Sequence, residues 1–104
     1  MAGRPFPGMS DDRAEPREEV LHRSRVVLAD QRHFAVTVVN LSPGGMMVRG
    51  EVPAAAGEWI TVTLPGRGDV RAAVRWSLGG RIGCQFEREL AGADYYPLLA
   101  AMRG

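Results

Sequence analysis

The tightest constraint on the fold lies between Val70 and Phe86. Val70, Ala72, Val74 and Trp76 alternate with Arg71, Ala73, Arg75 and Ser77, the two-residue period of a strand with one buried face. Gly79-Gly80 then signals a hairpin, and Ile82, Cys84 and Phe86 give the next strand its inward face. A chain built on such a hairpin must bury that face against more strands. The remaining sequence supplies them: Val20 to Leu28, His33 to Leu41 after an Asp30-Gln31-Arg32 turn, Met46 to Arg49, and Trp59 to Leu64. On the first of these, Val20, Ser24, Val26 and Leu28 share a face with His22 between them; on the second, Phe34, Val36 and Val38 oppose Ala35, Thr37 and Val39.

Six short strands joined by tight turns predict an all-β fold, a six-stranded antiparallel β-barrel, because closure removes exposed edges. The last stretch changes period. Tyr95, Leu98, Leu99 and Met102 recur at helical spacing, with Asp94 as the expected cap and Pro97 in the first turn. This C-terminal α-helix is expected to close one end of the barrel or to pair with a partner. Residues 1–18 mix Arg, Pro, Asp and Glu with little to bury, so they are expected to form a flexible N-terminal lead. The expected organisation is one domain: lead 1–18, barrel 19–90 and helix 91–104. At 104 residues it can bury roughly two-thirds of its unfolded surface without staples.

Composition narrows the function. A formal net charge of +1 gives no bulk attraction to a polyanion. All thirteen basic residues are Arg, a pattern that codon bias can produce and that also suits bidentate phosphate and guanine contacts. The single cysteine, Cys84, allows no intramolecular disulfide, and no stretch reaches the ~18 to 20 apolar residues of a membrane span. No signal peptide opens the chain, so the expected location is the cytoplasm. His22 and His33 lie in strand patterns without a nucleophile and base nearby, and no metal-ligand spacing is present. An enzyme, a metal or another cofactor is therefore not expected.

One stretch carries chemistry. In Asn40-Leu41-Ser42-Pro43-Gly44-Gly45, residues 40 and 42 lie on one side of an extended backbone, and Pro-Gly-Gly then bends the chain. Glycine can take positive φ at little steric cost, so the chain can reverse into a second strand there. This is either a turn whose Asn and Ser bond their own backbone or a small-ligand rim. Upstream, Arg13-Ala14-Glu15-Pro16-Arg17 precedes Asn40 by 22 residues. Pairing of the first two strands returns Arg17 to the neighbourhood of Asn40, so two guanidinium forks can face an Asn-Ser-Gly rim, a setting for phosphates and purines.

Arg-x-x-x-Arg before a small β domain, then Asn-x-Ser-x-x-Gly at the end of its second strand, resembles the PilZ domain family, bacterial receptors for cyclic di-GMP. The resemblance covers residues 12 to 102 and extends to Gly83 through Phe86 and the terminal helix. It implies a six-stranded barrel with a C-terminal helix, and a site in which Arg13 and Arg17 hold phosphates and guanines. In that site Asn40 and Ser42 bond a guanine and its adjoining phosphate, and Gly44 and Gly45 leave room. Trp76 is either a guanine-stacking residue, as in some members, or a core partner of Val70, Ala72 and Val74. Asp12 stands where members that bind two ligand molecules have a third arginine, which implies a single bound molecule. The expected function is a stand-alone adaptor whose lead orders on the ligand and changes the surface offered to a downstream protein. Two alternatives compete. One is a nucleotide-independent protein-interaction module using Tyr95, Tyr96 and Leu99. The other, a binder of single-stranded nucleic acid, ranks last, because Trp59, Trp76 and Phe34 form no evident common stacking platform.

Overall fold

A computed structural model of the protein describes residues 17–103. Six strands form a closed antiparallel barrel in the order β1-β2-β3-β6-β5-β4. They are β1 (Glu18–Leu28), β2 (His33–Ser42), β3 (Gly45–Arg49), β4 (Trp59–Leu64), β5 (Gly68–Leu78) and β6 (Arg81–Phe86), followed by α1 (Gly92–Arg103). The barrel and the C-terminal helix agree with the sequence-based expectation. The lead, with Arg13 and Asp12, lies outside the described residues.

The alternating residues fill the interior. Val26, Leu28, Val36, Val38, Val48, Ile60, Val62, Ala72, Val74 and Ile82 are buried at the centre, each removed from water by the strand period alone. The β1–β2 turn is set by Asp30, whose carboxylate accepts the Arg32 backbone N–H at 3.1 Å and the Arg32 Nε at 2.8 Å. That backbone donor, foremost, holds the Asp30 carboxyl below its usual range.

Closure is uneven around the wall. β1 meets β4 over three residue pairs, Val26–Val62, Val27–Thr61 and Leu28–Ile60. No further residue pair joins the two strands, and the Ser24 hydroxyl donates to the Thr63 carbonyl. A groove of about 260 Å³ opens at this seam, lined by His22, Arg23, Arg25 and Pro65 among others.

The helix plugs the end of the barrel where β1 begins and β2 ends. Tyr95, Leu98, Leu99 and Met102 are buried, and the Tyr95 hydroxyl donates to the Leu41 carbonyl at 3.2 Å. Arg103–Glu18 (2.8 Å) and Arg67–Asp94 (3.1 Å) ion pairs tie its two ends to the barrel. The helix starts earlier than the sequence pattern predicts. The Ala91 carbonyl accepts the Asp94 and Tyr95 amides, so Asp94 is in the first turn rather than at the cap, and Pro97 falls in the second turn. Burial also removes Tyr95 and Leu99 from the contact surface expected for a nucleotide-independent interaction module, leaving Tyr96 at 67% exposure.

Two outcomes follow from this core. Met102→Ala, which empties a fully buried position under the helix, is expected to cost about 2–5 kcal/mol in chemical denaturation. Burial pushes the Cys84 thiol from 9.0 up to about 12. The unfolded chain therefore releases this proton first, so stability is fully present below pH 9.0 and falls as pH rises from there toward 12. Denaturation midpoints measured across that range on wild type and Cys84→Ala should diverge in wild type's disfavour.

Candidate functional site

Strict alternation would send Asn40 inward behind Val36 and Val38. It does not go there, because the register of β2 shifts between Val38 and Asn40: Val38 pairs with Val48, whereas Asn40 pairs with Met47. One extra residue in β2 reverses which side chains face the core. Leu41 is thereby fully buried and Asn40 is turned to the outer wall. A matching shift occurs on β5, where Val74 pairs with Cys84 but Trp76 with Gly83. Trp76 leaves the interior and is 42% exposed. Its alternation with Val70, Ala72 and Val74 had allowed a core place, and the bulge removes it.

The two bulges stand at the same height on either side of the β3–β6 pair. Cross-strand partners therefore run in one line around the wall: Glu19, Asn40, Met47, Gly83 and Trp76. From Asn40 to Trp76 is three strand spacings, roughly 14 Å. Gly83 is the low point of this line. A Cβ there would lie 2.2 Å from the Trp76 Nε1, so the absence of a side chain is what allows the indole to lie against the β6 backbone. Met47 and Gly83 escaped the sequence reading as site residues. The available signal was a glycine at an outward position within the Ile82, Cys84, Phe86 alternation.

Arg17 stands one residue before β1, and the Glu19–Asn40 register returns it to the end of β2. Its Nη1 donates to the Asn40 Oδ1 at 3.1 Å. The two residues that the sequence pattern separates by 22 positions are thus in direct contact, with the guanidinium fork oriented by an amide at the barrel surface.

Ser42 behaves differently. It is buried, and its hydroxyl donates to the Gly45 carbonyl at 3.4 Å across the Pro43-Gly44 turn. This is the local bonding that the turn reading allows. The positive φ that glycine permits is used at neither Gly44 nor Gly45. Gly45 is required for another reason: a Cβ there would meet the Cys84 backbone oxygen at 2.2 Å. The room that Gly45 leaves is filled by β6, not held open for a guest. The turn is further sewn to the chain after β6, with the Gly44 carbonyl accepting the Phe86 amide and the Pro43 carbonyl the Leu90 amide, each at 2.8 Å.

Among the described residues no group of three or more His, Cys, Asp or Glu side chains could hold a metal ion, and no helix is long and apolar enough to cross a membrane. His22 lines the β1–β4 groove and His33 is exposed, opposite Val27. The arrangement can therefore bind through a guanidinium, an amide, a thioether and an indole. It presents no nucleophile with a base.

A family model described as the PilZ domain matches residues 11–98. No curated protein matches the chain.

The β3–β6 contact makes a separable prediction. Gly45→Ala is expected to destabilise the fold by about 1–3 kcal/mol, the cost of forcing a methyl group into a packed site. A urea titration would show a lower midpoint for this variant, whereas Asn40→Ala, on the outer wall, should unfold close to wild type.

Proposed function

Because the chain belongs to the PilZ domain family, we propose that it is a bacterial cytoplasmic receptor for cyclic di-GMP. PilZ domains are binding modules for this second messenger, and the reading concerns how this chain holds it. The observation that carries it is the 3.1 Å contact between Arg17 and Asn40, which joins the two halves of the motif at one place on the wall.

In this proposal the Arg17 guanidinium takes a phosphate or a guanine edge, and Asn40 both orients that fork and bonds the adjoining base. The ligand lies along the Asn40–Met47–Gly83–Trp76 line, with Trp76 offering an aromatic surface at its far end. Ser42, Gly44 and Gly45 contribute by fixing the turn that presents Asn40. Arg13 supplies the second guanidinium, and binding orders the lead that carries it. Ordering costs roughly 1–2 kcal/mol per residue, so two charge-assisted contacts worth roughly 1.5–3 kcal/mol each are largely consumed in fixing a few residues. The carboxylate of Asp12 beside Arg13 favours one bound molecule over two. The output is an altered surface read by a downstream protein, an adaptor role without catalysis.

Calorimetric titration of cyclic di-GMP tests this. Arg17→Ala should weaken binding by about tenfold to 150-fold, the loss of one charge-assisted contact. Equal affinity of wild type and variant would rule the site out.

A further inference from the structure

We propose that Arg49, Arg81 and Leu78 form a docking strip for an extended acidic segment of a partner protein, one in which two carboxylate side chains and an apolar one share a face. The strip lies one row nearer the β5–β6 turn than the line just described, and it is defined by register alone. Arg49 on β3 pairs with Arg81 on β6, and Arg81 pairs with Leu78 on β5.

Three observations support this assignment. First, two arginines are direct cross-strand partners, a placement that costs stability when nothing neutralises it. Among the described arginines, Arg32, Arg67, Arg71 and Arg103 each have a carboxylate within 3.2 Å; Arg23, Arg25, Arg75 and Arg88 have none, but none of those four stands opposite another arginine. Among the described residues neither Arg49 nor Arg81 has such a partner. Glu51, whose carboxylate stands near Gly80, is ion-paired with neither, so an anion placed across the two arginines relieves their mutual repulsion.

Second, Leu78 adjoins this pair and is the most exposed large hydrophobic residue among the described residues, at 78%, with Trp76 at 42% in the next row. Arginine beside tryptophan is a composition enriched in protein-binding hot spots, and the exposed leucine adds apolar area next to them. A polyanion such as nucleic acid would instead call for a run of stacking aromatics, and this wall has one.

Third, the spacing fits. Neighbouring strands stand about 4.8 Å apart, and same-face residues of an extended segment about 6.7 Å apart. An extended segment crossing β3, β6 and β5 thus sets two carboxylates on two guanidinium forks and an apolar side chain on Leu78, the long arginine arms taking up the difference. The strip uses none of the residues assigned to the nucleotide except Trp76 at its margin, so the two proposals stand or fall separately.

The test is an NMR titration of the full chain with a synthetic peptide in which two glutamates and a leucine alternate with serines. Amide shifts are expected within residues 48–49 and 77–82, and R81E and L78S should each weaken binding at least about tenfold. R81E turns the like-charge pair into an opposite-charge pair, so its thermal midpoint should equal or exceed wild type at low ionic strength, which separates lost docking from lost folding. Four outcomes would overturn the proposal. These are the absence of shifts in the strip, equal binding of a peptide carrying lysines in place of the glutamates, tighter binding of a single-stranded oligonucleotide or of phosphatidylserine vesicles in the same strip, and an R81E variant that loses cyclic di-GMP affinity while keeping the peptide.

Discussion

Two one-residue bulges, on β2 between Val38 and Asn40 and on β5 between Val74 and Trp76, organise the functional face. A strand's side chains alternate, so every residue of one parity is committed to the core unless the count is broken. Each bulge breaks it once. Without them Asn40 and Trp76 would follow Val38 and Val74 into the interior, where a carboxamide would need buried partners and an indole would displace several aliphatic side chains. With them both residues stand on the outer wall, and Leu41 takes the core position that Asn40 vacates.

The β3–β6 pair between the bulges is the part of the barrel that sequence order does least to secure, since these strands are separated by β4 and β5. It is held by five residue pairs from Gly45–Gln85 to Arg49–Arg81 and by the backbone bonds of the Pro43-Gly44 turn. The close approach of Gly45 to the Cys84 carbonyl fixes how near the two strands come. The motif glycine is thus a structural residue at the base of the site. Gly83 has the complementary role on the outer surface, where it gives the Trp76 ring a place to lie. One glycine brings the strands together, and the other keeps the wall between them low.

The same wall carries charge in two arrangements. Arg17 is spent on Asn40, where a fork held by an amide is a preorganised group. Arg49 and Arg81 are register partners with no ion-paired carboxylate among the described residues, and the proposed docking strip rests on that juxtaposition. The ion pairs at the helix, Arg103–Glu18 and Arg67–Asp94, are exposed and contribute little energy individually. Their value is in fixing α1 over the barrel end, while Tyr95 links the helix to the Leu41 carbonyl beside Asn40.

The strand count, the hairpin at Gly79-Gly80, the terminal helix and the Arg17–Asn40 pairing were legible in the residues, because period and turn chemistry act over a few positions and pairing of consecutive strands needs no further information. The helix start was misplaced by three residues, since Asp94 resembles a cap while Ala91 performs the role. The conformation of Gly44 and Gly45, and the close approach of Gly45 to β6, were not legible for a different reason: both depend on where β6 lies, and nothing local states it. Trp76 was left between two places for the same reason, because a bulge is decided by the partner strand's register. What the sequence determined by itself was which residues could form strands and which chemistry they carried. Only the closed barrel decided which of them face out and which share a row, because facing depends on pairing between strands distant in the chain, and that pairing is set by packing the whole core at once.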